Sequence, residues 1–271
     1  MVTRRTGALI ASAGYVLGLV VEGPKLFKIT FTFLPVESTT QAFSILLATL
    51  LVFLGGEIFR VPLSLSKAMT GAILGVSVAV GASLNLRYLA LILGFWFLAP
   101  LLGTALGVLL VAMDDRYSPK NLWLKLSILK AGLVVMAFAS AYVLGSNTLG
   151  LVAGVPFNQT QAAMIAVGLG SVIGAFTLGR GALKRLSEGI FSLRYPNAFY
   201  SQLVGSGTVE LANQLGVPVS ITETVSSGII GSGFARKMRV MNVRNVFLII
   251  ASWILSPIAG AIAGYVLTKI L

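Results

Sequence analysis

The chain has 271 residues, of which 56% are hydrophobic and 10% charged, and a formal net charge of +12; its mean hydropathy is +0.94. Soluble domains carry about 25% charged residues, so this composition sets aside a soluble enzyme and describes an all-α, multi-pass integral protein of the cell membrane. Cysteine and histidine are absent, which removes disulfides, thiol nucleophiles, the usual zinc ligands and the usual side chain that switches near neutral pH.

A transmembrane helix needs roughly 20 apolar residues. In chain order, long apolar stretches run at about 6–21, 41–59, 88–112, 124–144, 157–179, 198–215 and 245–270. The stretch 22–36 is broken by Glu22, Gly23, Pro24, Lys25, Lys28 and Pro35. Two more stretches, about 65–80 and 221–235, follow Pro62 and Pro218, contain several glycines and are too short to span comfortably. Short, interrupted segments at matching places in two halves of a chain are a pointer to a binding site.

The halves do match. Val61-Pro62-Leu63-Ser64-Leu65-Ser66-Lys67 returns as Val217-Pro218-Val219-Ser220-Ile221-Thr222-Glu223, 156 residues on. Phe95-Trp96-Phe97-Leu98-Ala99-Pro100, with Gly103 and Gly107, returns as Ser252-Trp253-Ile254-Leu255-Ser256-Pro257, with Gly260 and Gly264. Tyr15-Val16-Leu17-Gly18 returns as Tyr142-Val143-Leu144-Gly145. A duplicated apolar unit is a common build for a membrane transporter. The expected organisation is a first membrane repeat at 1–112, a connecting loop at 113–123 and a second repeat at 124–271, with a cytoplasmic loop at about 180–197.

Charge gives the repeats a direction. The connection 81–87 holds one basic residue, Arg87, whereas its counterpart 236–244 holds Arg236, Lys237, Arg239 and Arg244. The positive-inside rule puts the second connection in the cytoplasm and the first outside, so the expected fold is two inverted-topology repeats with broken or re-entrant helices. Arg4 and Arg5 would then lie outside, against the rule. The basic excess has a bland use, anchoring to anionic lipid, and a sharper one, attraction of an anionic solute. The pairs Gly103/Gly107 and Gly260/Gly264 fit tight helix packing, within the fold or across a homodimer. Asp114-Asp115 is expected in the solvated connecting loop.

The two proline-x-serine segments, the Trp253-Ile254-Leu255-Ser256-Pro257 helix and the stretch from Gly181 to Leu193 with Asn197-Ala198-Phe199 resemble the inorganic phosphate transporter (PiT) family, which includes sulfate permeases. The resemblance covers most of the chain and is strongest in its second half. It implies an inorganic oxyanion as cargo. The family's glycine-alanine/serine-asparagine-aspartate-x-alanine-asparagine motif survives only as Gly145-Ser146-Asn147, with Thr148 at the aspartate position and Leu151 at that of the last asparagine. In the first half, Gly18 is followed by Leu19-Val20-Val21-Glu22. In the family these polar residues serve the coupling cation and the substrate. Threonine and valine lack the carboxylate oxygen that holds sodium well, so proton coupling or uncoupled movement is favoured over sodium. Glu22, one residue past the lost aspartate position, is a candidate replacement. The histidine of each family signature is replaced, by Lys67 and by Glu223.

A helix N-terminus carries unpaired N–H groups and partial positive charge, and oxyanions bind there. Ser64, Ser66, Ser220 and Thr222, with Asn147 and Thr148, are the candidate substrate ligands, and Lys67 is a candidate anion contact. The bland alternative for the hydroxyls is plain N-capping. Lys67 and Glu223 hold matched positions. They can pair with each other, or Lys67 can bind the anion while Glu223 carries a proton, or both can snorkel to an interface. Lys25 and Lys28 are read as interfacial anchors before anion contacts. There is no phosphate-binding GxxxxGK[ST] loop and no catalytic constellation. Metal sites, cofactors and nucleic acid are not expected; the partners are the oxyanion and the bilayer. The reading is a secondary transporter for phosphate or sulfate working by alternating access. The alternatives are an anion channel or facilitator, and a non-transporting membrane subunit that keeps the fold.

Overall fold

The computed structural model describes residues 3–33, 38–59, 61, 63–117, 119, 121–156, 160–177, 194–235 and 243–271. Pro62, the Lys28 side chain, most of the 180–197 loop, and Arg236, Lys237, Arg239 and the Arg244 side chain lie outside the described residues. Everything regular among the described residues is helical: α1 (Arg4–Val21), α2 (Pro24–Phe33), α3 (Thr39–Phe59), α4 (Leu65–Ala79), α5 (Leu86–Tyr117) and α6 (Leu122–Leu144), which runs through a π-helical turn (Gly145–Leu149) into α7 (Gly150–Ala153), then α8 (Thr160–Thr177), α9 (Tyr195–Gln214), α10 (Ile221–Ala235) and α11 (Val243–Ile270).

Among the described residues, five helical spans, Thr39–Phe59, Leu86–Asp114, Leu122–Ala153, Thr160–Thr177 and Val246–Ile270, are long and apolar enough to cross a membrane. The protein is a multi-pass membrane protein. Helix α9 has 20 residues, and at 1.5 Å per residue reaches about 30 Å. It is more polar than those spans, but Asn197, Ser201, Ser206, Thr208 and Asn213 are turned inward and buried. The two short segments singled out in the sequence are α4 and α10, of 15 residues each. At about 22 Å neither crosses a hydrocarbon core of about 30 Å.

The packing of these short helices is crossed: α4 lies against α11, and α10 against α5, so each is held by a helix from the other half. Glycine makes the approach close, and the same contacts recur at the repeat spacing. A methyl group on Gly75 would lie 2.0 Å from the Ala261 carbonyl oxygen, and one on Gly231 2.1 Å from that of Thr104. Gly264 and Gly107 form the next matched pair, where a methyl group would lie 2.5 Å from Ala72 O and 2.6 Å from Gly228 O. The third echo is reciprocal: Gly18 sits on the Tyr142 carbonyl and Gly145 on that of Tyr15. Without a hydrophobic drive between helices in lipid, such backbone contact is a main source of association.

One expectation is corrected. Asp114 is not in a solvated loop. It lies in the last turns of α5, 8% exposed, with Oδ2 2.7 Å from Lys125 Nζ and Oδ1 accepting from the Tyr200 hydroxyl at 3.0 Å. A buried carboxylate needs such partners, and here they come from α6 and α9.

Gly75→Leu and Gly231→Leu should each lower stability by about 1–3 kcal/mol or more, the usual cost of overpacking. At Gly55 an added methyl group meets nothing within 4 Å, so Gly55→Ala should be close to neutral. Thermal unfolding of the three detergent-purified variants checks both statements.

Candidate functional site

The chain builds the site by stopping two helices at the same place. Ser64 is extended, with φ −88° and ψ 118°, and its side chain accepts a hydrogen bond from the Lys67 amide, so α4 begins at Leu65. Ser220 caps α10 the same way, accepting from the Glu223 amide at 3.3 Å. N-capping is therefore what these two hydroxyls do in this structure. The amides of the first-turn residues Leu65, Ser66, Ile221 and Thr222 precede the first i→i−4 bonds and have no partner within their own helices. Ser64 is also anchored from the other half, its amide donating to Ser256 Oγ at 2.9 Å.

The two capped ends meet. Lys67 Nζ lies 2.6 Å from Glu223 Oε2, and the two side chains are 4% and 1% exposed. Neither residue snorkels. The ammonium also stands 5.1 Å from the centre of the Trp96 ring, within cation–π range, and Trp96 Nε1 donates to the Pro218 carbonyl at 2.7 Å. Trp96 thus touches both capped segments. Glu223 Oε1 is buried and accepts no hydrogen bond.

The π-helical turn completes the cluster. Gly145, Ser146, Asn147 and Thr148 are all buried there. Ser66 Oγ and Thr148 Oγ1 share a hydrogen bond of 2.8 Å. Asn147 Nδ2 donates to Asn213 Oδ1 at 2.6 Å and to the Val217 carbonyl at 3.2 Å. Asn213 Nδ2 donates to Ser146 Oγ at 2.6 Å. Asn147 Oδ1 is enclosed and has no donor. Single-turn π segments concentrate at functional sites.

Seven of the nine residues singled out in the sequence, Ser64, Ser66, Lys67, Ser220, Glu223, Asn147 and Thr148, are therefore buried around this meeting point. Thr222 is exposed. Glu22 belongs to a separate group with Lys25 and Gln214. Sequence reasoning missed Trp96, Asn213 and Ser256 as parts of the cluster, although Trp96 and Ser256 both lie in the echoed segments.

Electrostatically the meeting point has a positive surplus. Lys67 and Glu223 cancel, while each of two helix N-termini contributes roughly half a positive charge. The arrangement suits an anion that accepts several hydrogen bonds. Glu223 itself, an oxyanion on the chain, occupies the ammonium.

Comparison with known proteins bears on this geometry. The chain matches the Phosphate transporter family over residues 1–264. It is 27% identical to a Methanocaldococcus jannaschii protein named as a candidate phosphate permease, over 86% of this chain and 76% of that protein. It is 28% identical to a sulfate permease of Bacillus subtilis, over 99% of this chain and 78% of the permease. A solved structure titled as the sodium-dependent phosphate transporter superposes with a TM-score of 0.83 at 20% identity, covering 99% of this chain and 90% of that one; at that identity the likeness concerns the fold.

Removing one partner of a buried ion pair leaves an uncompensated charge, at about 3–5 kcal/mol. Lys67→Met and Glu223→Gln should each destabilise the protein by that amount, and the double variant by much less than their sum. Chemical or thermal unfolding of the two singles and the double gives the coupling energy.

Proposed function

Because the chain belongs to the phosphate transporter family, we propose that it is a permease moving a small inorganic oxyanion, phosphate or sulfate, by alternating access, with the anion held where the N-termini of α4 and α10 meet. The carrying observation is the buried 2.6 Å contact between Lys67 and Glu223 across two capped helix ends. A lysine in a membrane interior needs a permanent partner or an anionic visitor. Here the partner is a carboxylate, which has the charge and acceptor geometry of the cargo. The incoming oxyanion replaces Glu223 at the ammonium and takes hydrogen bonds from the first-turn amides of both helices and from the Ser66–Thr148 hydroxyl pair. The names of the two relatives support the substrate class.

Alternating access is supported by the crossed packing. A block of α4 with α11 and a block of α10 with α5 each combine segments of both halves, and the anion position lies at the seam between them. Two repeats of opposite topology account for the matched glycine contacts, because a pseudo-two-fold axis carries each contact onto its partner. Rocking of one block against the other exposes the seam to either side in turn.

Cation use follows from the π-helical turn. Thr148 offers a hydroxyl already engaged with Ser66, and Val21 at the matching place offers none, so sodium finds no carboxylate at either position.

Purified protein in proteoliposomes should take up labelled phosphate or sulfate saturably, with replacement of sodium by potassium changing the rate less than about twofold. Lys67→Met should abolish uptake. Ser66→Ala should weaken apparent affinity by about tenfold, the scale of one hydrogen bond to a charged acceptor. Uptake with a steep sodium requirement would overturn the cation argument, and flux that never accumulates against a gradient would make the protein a channel.

A further inference from the structure

A second cluster of ionisable groups lies outside the anion site. Glu22 ends α1 and Lys25 begins α2; Lys25 Nζ is 2.9 Å from Glu22 Oε1 and donates to Gln214 Oε1 at 2.8 Å. The amide of Gln214, at the end of α9, then serves two carboxylates at once: its Nε2 donates to Glu22 Oε1 at 3.4 Å and to Glu210 Oε1 at 2.5 Å. One amide nitrogen thus holds the two carboxyl groups side by side. Glu22 Oε2 is enclosed and accepts from no donor. Two ionised carboxylates gathered on one amide repel, and one proton shared by the pair relieves that repulsion.

The cluster is connected to the anion site. Asn213 Nδ2 donates to Glu210 Oε2 at 3.3 Å, and Asn213 Oδ1 accepts from Asn147. Asn147 adjoins Thr148, which bonds Ser66, the neighbour of Lys67. At the joint between the two sites stands Asn147 Oδ1, 0% exposed and without a donor. The charged and titratable groups facing the carboxyl pair among the described residues are Lys25 from α2 and the phenol of Tyr142 from α6. Tyr88 of α5 donates to the Gly216 carbonyl just beyond α9. The Glu22 and Lys25 side chains are 15% and 37% exposed, so the cluster has access to water.

We propose that Glu22 and Glu210 hold one proton between them and are the proton-coupling station of this permease. The inference rests on the oxyanion-transport reading above. The chemistry is one O–H bond: it forms with a proton from water on one side, relieves the repulsion of the paired carboxylates, and breaks to water on the other side. The amide chain Gln214–Asn213–Asn147 makes the geometry of the pair depend on that of the anion site without itself passing the proton.

Two readouts test this. The first needs no transport: infrared difference spectra of the purified protein between acid and alkaline pH. The protonated-carboxyl band of the pair should be lost in Glu22→Gln and in Glu210→Gln alike, because either change breaks the shared proton. If the wild-type protein has no such band near neutral pH, or each variant removes an independent one, the pair does not exist as proposed. The second is uptake of labelled sulfate and phosphate into proteoliposomes at zero membrane potential, beside equilibrium exchange without a gradient. Sulfate does not change its charge near neutral pH. For one coupled proton, a gradient of about one pH unit supports about tenfold accumulation.

The two glutamine variants should exchange at the wild-type rate, unfold at the wild-type temperature, and accumulate nothing. Lys25→Met should still accumulate, with its pH profile displaced upward, since the lost ammonium favours the ionised carboxylates. Retained accumulation in either glutamine variant overturns the proposal, as does loss of exchange together with accumulation. Wild-type protein that exchanges neither anion would instead refute the transport reading, while the infrared result still judges the pair.

Discussion

Burying one lysine and one glutamate at the start of two helices governs most of what surrounds them. Taking each ion out of water costs several kcal/mol, and only close geometry recovers it. The costs are also unequal. Glu223 sits in the first turn of α10, where the helix dipole favours a negative charge, whereas Lys67 sits in the first turn of α4, where the dipole opposes it. Lys67 therefore depends on Glu223 more than Glu223 depends on Lys67. The Trp96 ring relieves part of that strain from one side. Replacing such a pair with packed apolar side chains is often neutral or stabilising, so stability alone does not account for it. A charge that must always face an anion, beside two helix N-termini, is what the proposed exchangeable anion site requires.

The packing serves the same constraint. Holding two helix ends within one ion-pair distance needs both helices fixed along their length, and the glycine contacts do this with backbone against backbone. Because α4 is fixed to α11 and α10 to α5, the ion pair joins two blocks rather than two parts of one block. The joint between them includes the Lys67–Glu223 ion pair and the Lys67–Trp96 contact. In the proposed mechanism an anion that replaces Glu223 at Lys67 would loosen that joint directly, which would link occupancy to movement without a separate signalling path.

Much of this was legible in the sequence because it rests on local signals that occur twice. Proline, serine and a short apolar run located both half-helices, and equal position in the two copies brought Lys67 and Glu223 into one argument. The asymmetries were not legible. Ser66 and Thr222 occupy matched positions, yet one is buried and the other exposed. Ser66 finds the Thr148 hydroxyl, while the residue that corresponds to Thr148 in the first half is Val21, which has no hydroxyl to offer. The burial of Asp114 depends on Lys125 and Tyr200, and the meeting of Glu22 with Glu210 depends on where the end of α9 lies against α1 and α2. Contacts between residues so far apart in the chain leave no periodicity or motif behind.

The charges of the two clusters complement each other. The anion site, with Lys67 and Glu223 paired, carries a surplus of about one positive charge from its two helix N-termini. Glu22, Glu210 and Lys25 together carry one net negative charge when both carboxyls are ionised. Moving either imbalance through a low-dielectric interior is costly. At the proposed sites a monovalent oxyanion such as dihydrogen phosphate would balance the first and a single proton the second, whereas sulfate would leave one negative charge over. With a monovalent cargo, only the fully loaded and the fully unloaded protein would have no net charge across the two proposed sites. Half-loaded protein is disfavoured in movement by the same Coulomb term that holds Lys67 to Glu223. A coupled transporter needs that penalty on slippage, and in the proposed scheme it would arise from the placement of five side chains and two helix ends.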